Sequence, residues 1–306
     1  LWALVGYSWM GFVFLLFSLS LCLLAVELSL AAASRLSGGN FIASFYTPKV
    51  SGAIIAVALI AALYGLLDAR QIRTERVTLK SSKLPPNVEK IRVAQISDAH
   101  LGLILRAGFL KKVAAIIEEN SPDILVATGD IVDAQLNHLD GLSEIFSAIK
   151  PPLGKYAVLG NHESYAGLGN SLDFLDKSGF RLLRDESVTS GGAVNIAGVD
   201  DSHKNADEKA LSSAQPSLYT IFLKHKPLVD PKAAAIFDLQ LSGHAHRGQI
   251  FPFNLLSGLN FPMQNGLYRL EGGASLYASR GTGTWGPPMR VFSPPEVTII
   301  DIVREK

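Results

Sequence analysis

Apolar residues are spread unevenly along the chain. From Leu1 to Ala33 the one charged residue is Glu27, and Val50–Leu67 holds none. Neither Leu4–Val26 nor Val50–Leu67 shows a polar face, which argues against a helix pair buried in a soluble bundle. At about 1.5 Å rise per residue both reach across a hydrocarbon core of roughly 30 Å, the second only just. The pattern therefore predicts transmembrane helices over about 4–26 and 50–67. The length of the first stretch, and the presence of a second, argue against a cleaved signal peptide. The chain opens on Leu1 rather than methionine, so preceding residues are expected, and the number of helices among them is open.

Beyond the second span the texture changes. "SSKLPPNVEK" (81–90) is polar with a double proline, as a linker would be. Then "IRVAQIS" (91–97) reads as a strand, and Phe109, Leu110, Val113, Ile116 and Ile117 fall at helical spacing before "NSPD". "ILVATGD" (124–130) and "YAVLGN" (156–161) read as strands, and 138–149 and 168–179 as helices. From about Arg181 short strands dominate: 193–199, 218–225, 237–244, 275–281 and 297–303. An α/β half followed by a strand-rich half predicts two sheets packed face to face with helices outside.

The organisation expected is a membrane region over 1–69, a basic linker over 70–90 and one domain over 91–303. Between the spans only Arg35 and Lys49 are basic, whereas Arg70, Arg73, Arg76, Lys80 and Lys83 follow the second with one acid, Glu75. The positive-inside rule then predicts a multi-pass protein of the cell (inner) membrane with its large domain in the cytoplasm. Across 306 residues the formal charge is +1, and no basic stripe supports nucleic acid as a partner. The single cysteine, Cys22, excludes an intrachain disulfide. No internal repeat stands out, and oligomeric state is not legible.

Polar motifs sit where predicted strands end. The first strand runs into Asp98-Ala99-His100, the second into Gly129-Asp130 with Asp133 three residues on, and the third into Gly160-Asn161-His162-Glu163. Later strands deliver His225, then His244 and His246 in "LSGHAHRGQI". Of seven histidines only His138 and His203 lie outside these motifs, and His203 reads as a surface-loop residue. The carboxyl ends of strands are where ligand sites assemble in open α/β sheets.

The ordered set "DAH…GDIVD…GNHE…H…GHAH" resembles the calcineurin-like metallophosphoesterase superfamily over residues 91–303. It is most similar to the bacterial, often membrane-associated branch whose signature continues GHxHxGQIxxP, here "GHAHRGQIFPF". The resemblance implies a four-layer α/β/β/α sandwich of two mixed sheets and a centre of two divalent ions, manganese, iron or zinc, with manganese favoured. Asp98, His100 and His246 would hold one ion, Asn161, His225 and His244 the other, and Asp130 would bridge both. A bridging hydroxide would attack phosphorus, with His162 as general acid and Asp133 orienting it. Two ions about 3.5–4 Å apart explain why one short turn carries two imidazoles one residue apart.

One departure from the branch is Arg247, where the signature has glycine. With Arg280, Trp285 and Arg290 of "SRGTGTWGPPMR", it is an expected substrate-binding residue. Three functions stay open. The first is a membrane-anchored phosphoester or pyrophosphate hydrolase for a phosphorylated small molecule or lipid-linked substrate such as UDP-2,3-diacylglucosamine. The others are a phosphodiesterase or phosphatase for soluble substrates and a non-catalytic scaffold. Every ligand position is filled, which favours an enzyme.

Overall fold

The structure, a computed structural model, describes residues 1–39, 45–133, 139–203 and 205–305. Two long apolar helices come first, α1 (Trp2–Leu36) and α2 (Pro48–Asp68), the latter opened by Thr47, whose Oγ1 accepts from the Val50 amide at 3.3 Å. Both are long and apolar enough to cross a membrane, and most of their surface is exposed. There follow β1 (Arg73–Ser81), β2 (Lys90–Ile96), α3 (Ala107–Asn120), β3 (Ile124–Thr128), α4 (Leu142–Ala148) and β4 (Lys155–Val158). Next come α5 (Asn161–Tyr165), α6 (Leu168–Lys177), β5 (Arg181–Leu182), β6 (Glu186–Ser190), β7 (Val194–Gly198), α7 (Asp207–Leu211) and β8 (Tyr219–Leu223). The chain ends with β9 (Leu239–Ser242), α8 (Phe253–Asn260), β10 (Gly266–Arg269), β11 (Ser275–Ala278) and β12 (Glu296–Arg304).

The strands make two six-stranded mixed sheets, ordered β1-β12-β2-β3-β4-β5 and β10-β11-β9-β8-β7-β6. Between them lies a core including Val93, Val126, Val158, Ile196, Ile221 and Leu241. Outside the first sheet, α3 buries Leu110, Val113, Ala114 and Ile117, the i, i+3, i+4, i+7 stripe of an amphipathic helix. Phe146 and Phe174 join that layer from α4 and α6. On the far side of the second sheet Phe222 and Phe237 stack above Ala210 and Leu211 of α7. Each fully buried side chain of this size stabilises the fold by about 1.5–3 kcal/mol. The layers are those of the expected four-layer α/β/β/α sandwich.

Two expectations are revised. Arg73–Ser81, inside the expected linker, pairs in parallel with Glu296–Arg304 along its whole length as the edge strand β1. Exposed Thr74, Arg76, Thr78 and Lys80 alternate with half-buried or buried Glu75, Val77, Leu79 and Ser81, a one-sided edge strand that in sequence reads like a solvated linker. The expected helix over 138–149 has its described part at Leu142–Ala148, and residue 138 lies outside the described residues.

The apolar helices also rest on the domain. Leu15, Ala58 and Ala62 form a cluster with Ile250, Met289 and Val291. Gly11 and Gly65 make that approach possible, since a methyl group on either would run into Met289, with Pro287 or Val291 beside it. The Gly65 carbonyl accepts the Arg290 amide at 2.9 Å.

Candidate metal centre

β2, β3 and β4 are parallel neighbours, as are β7, β8 and β9, so their carboxyl ends present loops along one rim. The loop after β2 carries Asp98 and His100, the loop after β3 carries Asp130, and α5 begins at Asn161 directly after β4. From the second sheet, His225 follows β8 and His244 and His246 follow β9. Asp98, His100, Asp130, His244 and His246 all have φ between 46° and 67°. That left-handed backbone costs an L-residue roughly 1–2 kcal/mol. Surrounding contacts hold it: the His244 amide donates to both Asp98 carboxylate oxygens at 3.0 and 3.1 Å. Gly243 leaves the room this needs, because a Cβ there would collide with Ser97 and Asp98.

The side chains converge as two groups. In one, His100 Nε2 lies 3.2 Å from His246 Nε2, which is 3.4 Å from Asp98 Oδ1. In the other, His225 Nε2 lies 3.2 Å from Asp130 Oδ2, 3.0 Å from His244 Nδ1 and 3.2 Å from Asn161 Oδ1. Donor atoms at 2.0–2.2 Å from a shared ion, at tetrahedral or octahedral angles, stand about 3.0–3.5 Å apart. His225 Nδ1 donates to the Thr128 carbonyl at 2.8 Å, which leaves Nε2 as the ligand nitrogen. The residues present therefore fit two divalent ions. Mixed nitrogen and oxygen donors suit manganese, iron or zinc and do not choose among them.

Electrostatics agree with the donor set. Burial alone would raise the Asp98 and Asp130 carboxyls, but the surrounding histidines outweigh it and hold both below the usual carboxylate range. Burial pushes His100 down to about 3, and burial together with His225 pushes His244 down to about 4, so both imidazoles are neutral. At His225 burial opposes charge, yet Asp130, Asp98 and Asp201 win and push it up to about 10. The carboxylates demand positive charge here, the demand that divalent cations meet.

His162 lies beside both groups. Its Nδ1 is 2.9 Å from Asp133 Oδ1, and its amide donates to Asp130 Oδ1 at 2.8 Å. Burial works against its charge, but Asp133, Asp130 and Glu163 raise it. Its ring meets those of His100 and Trp285 edge-on at 4.6 and 5.7 Å.

Glu163 was given no role by the sequence. Its buried carboxylate accepts from the amides of Asp130, Ile131, Val132 and Gly160 at 2.7–3.3 Å, clamping two ligand loops together. Burial and the Asp130 charge push it up to about 7 against those donors.

The expected substrate residues separate. Trp285 lines the cavity over the donor groups, whereas Arg247 is exposed and not part of its lining. Two expectations are corrected. Arg280 pairs with Glu75 and Glu296 and donates to the Pro294 carbonyl and Asn265, so it ties β1 to β12. Arg290 is fully buried, donating to the carbonyls of Arg280 and Gly283, with Nη2 3.1 Å from His246 Nδ1. A long basic side chain in a Gly/Pro-rich stretch reads as exposed, but these carbonyls turn inward and take its charge. His203 is exposed and bonds Asp185 at 2.6 Å, away from the centre.

A family model described as calcineurin-like phosphoesterase matches residues 91–248. The chain is 43% identical to an uncharacterized metallophosphoesterase of Aquifex aeolicus, over 80% of this chain and 97% of that one. It is 31% identical to a transmembrane protein with metallophosphoesterase domain of Danio rerio, over 80% of this chain but only 61% of that protein. It is 29% identical to the UDP-2,3-diacylglucosamine pyrophosphatase LpxG of Chlamydia muridarum, over 78% of this chain and 92% of that one.

Proposed function

The chain belongs to the calcineurin-like phosphoesterase family, and from that premise we propose a two-metal hydrolase of phosphoester or pyrophosphate bonds, anchored in a membrane by α1 and α2. Family membership makes it a metal-dependent phosphoesterase; the anchor, the residue roles and the substrate are our reading. The observation that carries it is the pair of donor groups with the His162–Asp133 dyad beside them.

Asp98, His100 and His246 would hold one ion, Asn161, His225 and His244 the other, and Asp130 both. When bound, such ions supply Lewis-acid charge to the phosphoryl oxygens and a water acidic enough to serve as nucleophile near neutral pH. With neutral Asn161 in place of a third carboxylate, the protein contributes two negative charges to the centre and leaves it positive toward an anionic substrate. Asp133 accepts the Nδ1 proton of His162, so His162 Nε2 carries the proton given to the leaving oxygen. Trp285 meets the His162 ring edge-on at the cavity wall.

The likeness to a transmembrane relative and to LpxG supports a lipid-linked or nucleotide-diphosphate substrate, with UDP-2,3-diacylglucosamine the first to try. The test is a hydrolysis screen of the metal-loaded protein on that compound and on bis-p-nitrophenyl phosphate, with metal analysis of Asp130→Ala beside it. We expect turnover by the parent, and loss of metal from both positions in the variant. An Asp130→Ala protein that keeps two metals and full activity would overturn the two-metal assignment.

A further inference from the structure

The cavity above the donor groups has a volume of about 530 Å³, and one wall comes from outside the catalytic sandwich. Met10 and Phe14 of α1 line it together with Phe253 of α8, Ile250 and Phe261. The lining is continuous: the Phe261 ring meets His244 edge-on at 4.9 Å, and Phe253 meets Phe14 at 6.2 Å. A path of apolar surface thus leads from a candidate ligand to a helix long enough to cross a bilayer.

The polar groups of this wall are committed elsewhere. Gln249 donates to the Trp285 and Pro287 carbonyls and accepts from the Trp285 amide. Ser257 Oγ is bonded to Gln264 at 2.6 Å. Such a wall suits hydrocarbon, since a sugar or base buried against it would leave its polar groups unpaired. The outer face of α8, whose Phe253 meets Phe14 of α1, is also apolar: Leu255, Leu256 and Leu259 are 58–79% exposed. With α1 held against the domain through Gly11 and Met289, a bilayer around α1 brings lipid to the mouth of the cavity.

We propose that α1 is part of the substrate site: the cavity takes the long apolar chain of a membrane lipid between α1 and α8, with its phosphoryl group at the metal ligands. This rests on the phosphoesterase reading and adds where the chain lies and how it enters, sideways from the bilayer.

The experiment uses the full chain, metal-loaded, in phosphatidylcholine nanodiscs, with methyl and octyl p-nitrophenyl phosphate diesters. In both the same P–O(aryl) bond breaks, water oxygen forms the new P–O bond, and the aryl oxygen leaves as nitrophenolate. Only the chain differs, so the octyl-to-methyl ratio of kcat/KM reads chain binding. A buried methylene is worth at most roughly fourfold, and we expect a parent ratio of at least about tenfold. Phe14→Ala should lower that ratio severalfold, and Phe253→Ala, which lies outside the membrane hairpin, should do the same if Phe14→Ala does not fold. Phe17, exposed on α1 and away from the cavity, provides the comparison: Phe17→Ala should keep the parent ratio. A parent ratio near one, or equal falls in Phe17→Ala and the two cavity variants, would overturn the proposal while leaving the hydrolase reading intact. No turnover of either diester by the metal-loaded parent would overturn both.

Discussion

In the proposed mechanism Asp133 sets what His162 does, because a proton held at Nδ1 would leave Nε2 as the acid. His162→Asn should therefore keep both metals and slow alkyl esters by about 10²–10⁴-fold, the usual range for general acid catalysis. Nitrophenyl esters, whose leaving group needs little protonation, should lose much less. Asp133→Asn should give a milder copy of the same pattern. Steady-state rates on both ester types check this, and equal losses would leave His162 as a binding residue. The polar ends of strands were legible at this scale because each motif packs its chemistry within three or four residues. Glu163 was not, since the amides it joins belong to loops that meet only in the folded chain. Arg280 was misread for the same reason, its Glu75 partner lying on a remote strand, and Arg290 because its nearby carbonyl acceptors face it only once the loop is folded.

At the scale of elements, Arg92 of β2 stands opposite Asp301 of β12 and grips it with two bonds of 2.7 and 2.9 Å. The Arg92 hydrogen bond and charge hold the Asp301 carboxyl below its ordinary range. A depressed carboxyl contributes stability that is present above its unfolded pKa, about 3.9, and lost as pH falls through the folded value. Asp301→Asn should thus cost about 1 kcal/mol at neutral pH. The cost should fade as pH falls through the depressed folded value, where the parent aspartate is itself neutral; denaturant titrations at neutral and at acid pH would measure it. Most strands announced themselves as apolar runs, but β1 did not, since its inward Val77 and Leu79 are separated by exposed Arg76, Thr78 and Lys80 and a third inward position is the charged Glu75. The two-residue β5 and the partly exposed β6 and β10 carry too little apolar surface to stand out.

For the whole molecule, the basic flank Arg70–Lys83 predicts a cytoplasmic hydrolase domain. A reporter that is active only outside the cytoplasm, fused after Lys306, should stay silent, and a strong signal would reverse the orientation without touching the chemistry. The sequence separated membrane region from catalytic domain because their compositions differ so sharply. It did not reveal that they pack together, because the seat is spread over Gly11, Gly65 and Met289, none of which carries a pattern by itself. The placement of β12 reaches further still. β12 lies between β1 and β2, although the entire second sheet separates it from both along the chain. At ribosomal speeds of about 5–20 residues per second, β2 waits on the order of 10–40 s for its neighbour to be made. Throughout that interval the edge that β12 will cover stands open to pairing with another chain. With the anchor proposed for α1 and α2, that edge would be held at a membrane surface until Glu296–Arg304 is made and closes it.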